Sequence, residues 1–365
     1  MSHIEVRRFG VIMEPESGNP LEEGGVLNPA CARNKNGELF LFPRLVAKGN
    51  YSRIGICKIL FDDDGNPMGV ERLGIALEPK KEYEKRGCED PRITYISRLE
   101  HYVMTYTALS AHGPRIAIAI SEDLFHWEPM GLARFHPFRK INFAEIDNKD
   151  GVLFPEPVPG VTGKPSFAMI HRPHFPETQL AKVAQLPRPR VIDLEKESLW
   201  ISYSICPPEH LDKARQCKGL CQFHEHHRIA APVEPWERLK IGAGTPPVQC
   251  KFGWLVLYHG VCHADTDENR FRYSAGMLVL DAHDPRIILY RSREPVFEPE
   301  LEEEKDGFVP NVVFPTAIDQ RIDLGQPNRY DVYYGMADTR IGALSLTLPD
   351  SLPPEAKKDP HLGKV

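Results

Sequence analysis

Polar residues of the kinds that bind and protonate oxygen-rich ligands recur in this chain at matching places in successive segments. Asn28 precedes Pro29, Glu89 and Asp90 precede Pro91, and Asp150 precedes a third proline-bearing stretch. Arg44, Ser110, His171, Arg172, Tyr258, His259 and Asp338 stand at the ends of neighbouring apolar runs. Hydroxyls both donate and accept, so they match carboxylates, amides and guanidinium groups, while Tyr covers the apolar face of a sugar ring. Such a set fits a polyhydroxylated ligand. Taken singly, an Asx residue before proline is equally a cap on its own turn. The functional reading therefore needs a fold that brings the whole set to one place.

A second cluster, Cys217, Cys221, His224 and His226, offers soft ligands to zinc. Its C-x3-C-x2-H-x-H spacing matches no standard finger, so no metal is assigned to it. The adjacent His-Glu-His-His at 224–227 is not a metalloprotease signature, because position 228 is Arg.

The elements that must position these residues follow from composition and repetition. The chain has 365 residues, with 45 basic against 51 acidic side chains, a formal net charge of −6. It carries no large basic block, which argues against nucleic acid as a partner. No run approaches the ~18 apolar residues of a membrane span. The first residues lack the apolar core of a secretory signal, and the eight cysteines read mostly as reduced core thiols, so a cytoplasmic protein is expected. Thirty-four prolines, close to double the ~5% of an average protein, exclude long helices and a helical bundle.

Five segments share one grammar: GELFLFPRL (37–45), HYVMTYTAL (101–109), SFAMIHRPH (166–174), GWLVLYHGV (253–261) and RYDVYYGMA (329–337). Their β-branched and aromatic content and their length specify strands. Each follows a proline-bearing stretch, read as a turn: VLNPACAR (26–33), CEDPRITY (88–95), VLFPEPVP (152–159), GAGTPPVQ (242–249) and VVFPTAID (312–319). Each precedes a second strand. A meander cannot bury both its faces alone, whereas radial packing of several can. The expectation is an all-β, five-bladed β-propeller over residues 1–350, with a C-terminal tail at 351–365. Equivalent strand ends would then meet in one funnel.

The motifs carry a family resemblance. Gly87-Cys88-Glu89-Asp90-Pro91-Arg92-Ile93-Thr94, Asn148-Lys149-Asp150, His171-Arg172-Pro173, Lys240-Ile241-Gly242-Ala243-Gly244, Tyr258-His259-Gly260-Val261 and Ala337-Asp338-Thr339 resemble glycoside hydrolase family 130, in order, from about Asn28 to about Leu348. The resemblance implies a five-bladed propeller acting on β-mannosides, either by phosphorolysis or by hydrolysis, with inversion. It implies that Asn28, Arg44, Glu89, Asp90, Arg92, Asp150, His171, Arg172, Lys240, Tyr258, His259 and Asp338 line the site. It also implies a proton-donating Asp where this chain has Ser110, whose hydroxyl is no strong acid near neutral pH.

That departure favours inverting hydrolysis of a β-mannoside, with the β-1,2 linkage preferred. Inverting hydrolysis needs two carboxyl groups ~6.5–9.5 Å apart. The candidates are Glu225, on a Cys- and His-bearing insertion (Cys206 to Pro235) assigned to the fourth unit, or Glu237, which follows it, with Asp265 or Glu268 on the next connection. The alternative is a phosphorylase that releases mannose 1-phosphate, with inorganic phosphate as co-substrate held by Lys149, Arg172 and Lys240. A non-catalytic glycan-binding propeller is the third reading. No cofactor is called for in any of the three. The partner is a mannose-containing oligosaccharide, and a homo-oligomer is compatible with the sequence.

Overall fold

The computed structural model describes residues 4–138, 141–176, 196–207, 209–264 and 267–353, with backbone alone at 267–269. The architecture is all-β. All five segments identified by their shared grammar lie in strands: Leu39–Ala47, His101–Ser110, Pro165–His174, Gly253–Ala264 and Arg329–Met336.

The proline-bearing stretches are different from expectation. Three of them, 26–33, 88–95 and 312–319, are not turns but bulged strands, whereas Pro155, Pro157, Pro246 and Pro247 lie in irregular segments just past the ends of strands. Each stretch overlaps the first strand of an antiparallel meander. Gly25–Arg33, Gly87–Ile96, Asp147–Leu153, Lys240–Ala243 and Val313–Gln320 each pair with the grammar strand that follows. Proline donates no ladder hydrogen bond, and a bulge is where a strand tolerates it. The first two meanders are joined into one sheet by a single parallel bridge, Ser52 to Gly87. The N-terminal strand Glu5–Met13 pairs with Arg340–Thr347, so the start of the chain completes the last meander.

The apolar core is divided in the same way. Five buried clusters sit between consecutive meanders, not within them. Phe40, Phe42 and Ile54 of the first pack on Met104 and Tyr106 of the second. Ile116 and Ile118 meet Met169 and Phe223 at the next seam. Ile170 and Tyr203 meet Trp236 and Val256, and Leu257 and Met277 meet Val332 and Tyr334. The fifth cluster joins the last meander to the first, through Tyr333 and Ile341 against Val26 and Leu41. Polar ties cross the seams at the bulges: Thr105 Oγ1 donates to the Gly151 carbonyl at 2.5 Å and Thr316 Oγ1 to the Pro29 carbonyl at 2.5 Å. Among the described residues no helix is long and apolar enough to cross a membrane.

The insertion carrying Glu225 belongs to the third meander and not the fourth. Gln222–Ala230 pairs with Leu199–Ile205 as an outer strand of that sheet. The expected tail lies almost wholly outside the described residues, which end at 353.

Candidate active site

Three first strands break step at the same place. The register shifts between Leu27 and Ala30, between Glu89 and Arg92, and between Lys149 and Val152. The residues inside these bulges, Asn28, Asp90 and Asp150, have φ of +44°, +48° and +56°. Asn and Asp are the non-glycine residues that best tolerate this left-handed region. A bulge also re-aims its side chain out of the strand alternation.

The second strands supply the partners. Opposite the residue just before each bulge stand Arg44, Thr107 and Arg172, with His259 opposite Gly242 and Gly335 opposite Phe314. The two glycines make room for the site. A Cβ at Gly242 would lie 2.3 Å from Asp150 Oδ2, and one at Gly335 would lie 2.2 Å from Asn28 Oδ1.

One half of the site is acidic. Arg44 is bound through Nη2 to Glu89 Oε1 at 2.9 Å and through Nη1 to Asp90 Oδ1 at 3.1 Å. Asn28 Nδ2 donates to the same Asp90 oxygen at 2.9 Å. Lys149 Nζ lies 3.8 Å from Glu89 Oε2. Against the effect of burial, Arg44, Arg92 and Lys149 hold Asp90 below the usual carboxylate range. Asp338, also at positive φ, moves the other way: burial and then the Asp90 charge push it up to about 6. The two carboxyl groups thus titrate apart, because cations surround Asp90 while Asp338 is buried beside a negative charge.

The other half is basic. Arg172 Nε donates to Asp150 Oδ2 at 2.6 Å, and its Nη1 pairs with Glu197. Lys240 is pushed down to about 8, by burial and then by Arg172, and forms no ion pair among the described residues. Its Nζ lies 5.7 Å from the centre of the Tyr273 ring. His259 lies against Phe314, centroids 4.3 Å apart, and burial drives it down to about 3 despite the pull of Asp150. It is neutral at physiological pH. Burial raises the Tyr273 phenol, and Arg172, Asp338, Asp150 and Lys149 all then act on it, so the two halves share one space.

Arg92 forms the floor. It is fully buried, and its Nε donates to the Gly244 carbonyl at 2.5 Å across to the fourth meander.

Several expected site residues point elsewhere. His171 and Tyr258 each precede a site residue on their strand, so alternation turns them into the seams between meanders. His171 is bracketed by Asn148 Oδ1 at 3.0 Å and Ser202 Oγ at 2.6 Å, and Ser202 bonds on to His226. Tyr258 donates to Glu237 Oε2 at 2.9 Å. Glu237 is fully buried, pairs with Arg291 at 2.5 Å and accepts from the Val233 and Glu234 N–H groups. It is a structural carboxylate that holds a turn. Glu84 with Tyr106 and Glu304 with Tyr334 repeat the arrangement in two other meanders. Glu225 lies on the outer strand of the third meander, where it acts on Tyr203 and Arg286 and not on the funnel residues. Asp265 lies outside the described residues. Glu268 lies in the strand Asp267–Leu280, with its side chain outside the described part. Ser110 is buried at the hairpin end and accepts from the His112 N–H at 3.2 Å, a turn cap.

The cysteine–histidine motif is dispersed. Cys217 and Cys221 are buried in the seam core, His224 stacks on His136 at 4.2 Å, and His226 joins the Ser202 chain. Among the described residues no group of three or more such side chains is arranged to hold a metal ion. Tyr273, Phe314 and Glu197 were not anticipated as site residues. For Tyr273 the signal was available, since period-2 alternation across its hairpin places it beside His259. For Glu197 there was none.

A family model described as beta-1,4-mannooligosaccharide phosphorylase matches residues 5–351. A 1,2-beta-oligomannan phosphorylase of Thermoanaerobacter sp. (strain X514) is 30% identical over 346 residues, covering 93% of this chain and 95% of that protein. A beta-1,2-mannobiose phosphorylase of Listeria innocua serovar 6a is 29% identical over 296 residues, 81% of this chain and 67% of that one. Among solved structures, the Listeria innocua beta-1,2-mannobiose phosphorylase in complex with beta-1,2-mannobiose has the same fold. Its TM-score is 0.69 at 23% identity, with 94% of this chain and 97% of that chain covered.

Proposed function

The chain belongs to glycoside hydrolase family 130, and from that premise we propose that it is an inverting β-mannoside phosphorylase whose substrate is a mannooligosaccharide, with the β-1,2 linkage favoured. Phosphorolysis, the alternative at the sequence level, now outranks hydrolysis. The matched relatives bear phosphorylase names, and two of the carboxylates proposed for hydrolysis, Glu225 and Glu237, lie away from the site. We also read the five meanders as the blades of one five-bladed propeller. The seam clusters that run from first to last and back to the first support this, as does the N-terminal strand completing the last meander.

The observation that carries the phosphorylase reading is Lys240. A half-buried ammonium that forms no ion pair among the described residues, pressed by Arg172, leaves positive charge to be neutralised by an incoming anion. Lys240, Arg172 and Lys149 form the cradle for inorganic phosphate, and the enzyme needs no resident cofactor. Asn28, Arg44, Glu89, Asp150 and the Asp90–Asp338 pair hold the mannosyl unit, with neutral His259 and Tyr273 as its wall.

A phosphate oxygen attacks the anomeric carbon from the side opposite the glycosidic oxygen. The carbon–oxygen bond to the leaving sugar breaks, and its electron pair stays on that oxygen. The Asp90–Asp338 pair supplies the proton that neutralises it, since Asp338 keeps its proton up to about pH 6. The products are α-mannose 1-phosphate and a shortened saccharide. The pair removes the need for an acid at Ser110.

Incubation with β-1,2-mannobiose, with and without phosphate, tests this reading. Mannose 1-phosphate should form only when phosphate is present. Free mannose released at the same rate without phosphate would restore hydrolysis, and no turnover by either route would leave a binding protein.

A further inference from the structure

A polar chain runs through the otherwise apolar seam between the second and third meanders. It takes one side chain from each of four strands: Asn148 of Asp147–Leu153, His171 of Pro165–His174, Ser202 of Leu199–Ile205 and His226 of Gln222–Ala230. All four are buried, His171 against Phe135 and His226 against Phe143. The links measure 3.0 Å from Asn148 to His171 Nδ1, 2.6 Å from His171 Nε2 to Ser202 Oγ and 2.7 Å from Ser202 Oγ to His226 Nδ1. A fourth, 2.9 Å, joins His226 Nε2 to the His136 carbonyl, just past the edge strand Arg134–Phe135.

Each link needs one hydrogen, whereas two neutral imidazoles and one hydroxyl supply three. A carbonyl only accepts, so the direction is set from the outer end. His226 Nε2–H donates to the carbonyl, Ser202 donates to His226 Nδ1, and His171 Nε2–H donates to Ser202. His171 Nδ1 is then an acceptor and requires a donor from Asn148. With Asn148 Oδ1 on the ring, acceptor meets acceptor, and Nδ2, on a side chain 2% exposed, has no partner. Half a turn of the amide puts Nδ2–H on the ring and removes both faults. An extra proton on either ring is the other way to complete the chain, and the surroundings oppose it. The titratable groups acting on the two rings are each other, His136, His224 and His227, imidazoles all. Burial keeps His171 well below its ordinary value and brings His226 down to about 4, against the pull of the His136 carbonyl.

The inner end of this chain adjoins the site. Asn148 and His171 immediately precede Lys149 and Arg172, which are register partners. Alternation puts the first two on the seam face and the second two on the site face. The bulge carrying Asp150 begins at Lys149, so it is tied on both faces: Asn148 to His171 on one, Asp150 Oδ2 to Arg172 Nε at 2.6 Å on the other.

We propose that His171 is a positioning residue: held by the Asn148 amide nitrogen at Nδ1 and by Ser202 at Nε2, it braces the bulge so that Lys149, Asp150 and Arg172 meet phosphate and sugar in a fixed geometry. The proposal rests on the reading of Lys149, Arg172 and Lys240 as the phosphate cradle.

Two measurements test it. Nitrogen NMR on wild-type protein with isotope-labelled histidine, assigned with His171→Gln and His226→Gln, should show both rings as neutral Nε2–H tautomers at neutral pH. An Nδ1–H tautomer or an imidazolium at His171 overturns the chain. The second uses Asn148→Asp, which keeps the shape but, ionised, cannot donate. Its kcat/KM for phosphate, corrected for folded protein, should lie about tenfold below wild type near pH ~7.5. Near pH ~5.5 that deficit should shrink to about threefold, because the buried carboxyl takes up a proton and its O–H donates to His171. A variant as fast as wild type, or a deficit unchanged with pH, overturns the positioning role. Mannose 1-phosphate and free mannose are both followed. The same deficit and acid recovery carried by free mannose without phosphate would refute phosphorolysis and keep the brace. If nothing turns over, calorimetric titration with inorganic phosphate replaces the rate, and an affinity unchanged in Asn148→Asp overturns the brace.

Discussion

Arg172 and Asp150 form a buried pair at the centre of the site, Nε to Oδ2 at 2.6 Å, with side chains 10% and 2% exposed. A pair of this kind contributes little net stability as a pair, but removing one member strands the other charge. Arg172→Ala leaves Asp150 with His259, which is neutral, as its nearest neighbour. We expect it to destabilise the protein by about 3–5 kcal/mol in denaturant titrations. Because the arginine holds Asp150 below its ordinary value, the wild-type advantage is present at neutral pH and is lost as acid protonates Asp150. A variant as stable as wild type at pH 7 would contradict the pairing.

The pH dependence of Asp338 has the opposite sign. Its carboxyl is raised to about 6 from an ordinary 3.8, so the folded protein binds the proton more tightly than the unfolded chain does. That group's contribution to stability is greatest below about pH 4 and is lost as pH rises through 6. Asp338→Asn is therefore expected to melt higher than wild type at pH 7 and to lose that gain near pH 4. In the wild type, kcat/KM should fall as pH rises through about 6, because the free enzyme loses its acid. Melting curves and rate profiles of both proteins across pH 4 to 8 check the two statements. A gain in melting temperature that persists at pH 4 would show that Asp338 titrates normally.

The repeat and most of the site residues were legible in the sequence because both follow from two-residue alternation and from Asx–Pro spacing. Asn28, Arg44, Asp90, Asp150, Arg172, His259 and Asp338 are brought together at the strand ends. What was not legible was the side of the strand on which a neighbour falls. His171 and Tyr258 were grouped with Arg172 and His259, although adjacent strand residues face opposite ways. Three of the proline-bearing stretches are bulged strands and not turns, because a bulged strand and a turn use the same residues. Glu237 looked like a loop carboxylate. Its partners, Tyr258 and Arg291, are distant in sequence, and its backbone contacts form only in the folded turn.

Glu237 and Glu225 therefore separate structure from chemistry. Glu237→Ala removes the carboxylate bond of Arg291 and frees two backbone N–H groups, a loss of about 1–3 kcal/mol. Its effect on rate should scale with the folded fraction alone. Glu225→Ala, on the outer strand, should change stability by less than about 1 kcal/mol and leave turnover unchanged. Thermal melts beside specific activity, corrected for folded protein, make the comparison. Abolished turnover in a folded Glu225→Ala protein would return that residue to the catalytic set.

Lys240 carries the sharpest prediction, because its charge changes in an accessible range. Burial and Arg172 bring it down to about 8, so the free enzyme loses half of this cation by about pH 8 and most of it above, while phosphate remains a dianion. The kcat/KM for phosphate should accordingly fall on the alkaline side with an apparent pKa near 8. Lys240→Met removes the charge at every pH. It should lower kcat/KM for phosphate by more than about tenfold at pH 7 and remove the limb near pH 8, leaving only the fall through about pH 6 that follows Asp338. Lys240→Arg keeps a charge that does not titrate below pH 12, so the limb should move out of range while part of the affinity returns. The saccharide KM should change little in either variant, since the proposed mannosyl contacts lie on Asn28, Arg44 and Asp90. An alkaline limb that stays near pH 8 in Lys240→Arg would assign the titration to another group and remove Lys240 from the phosphate cradle.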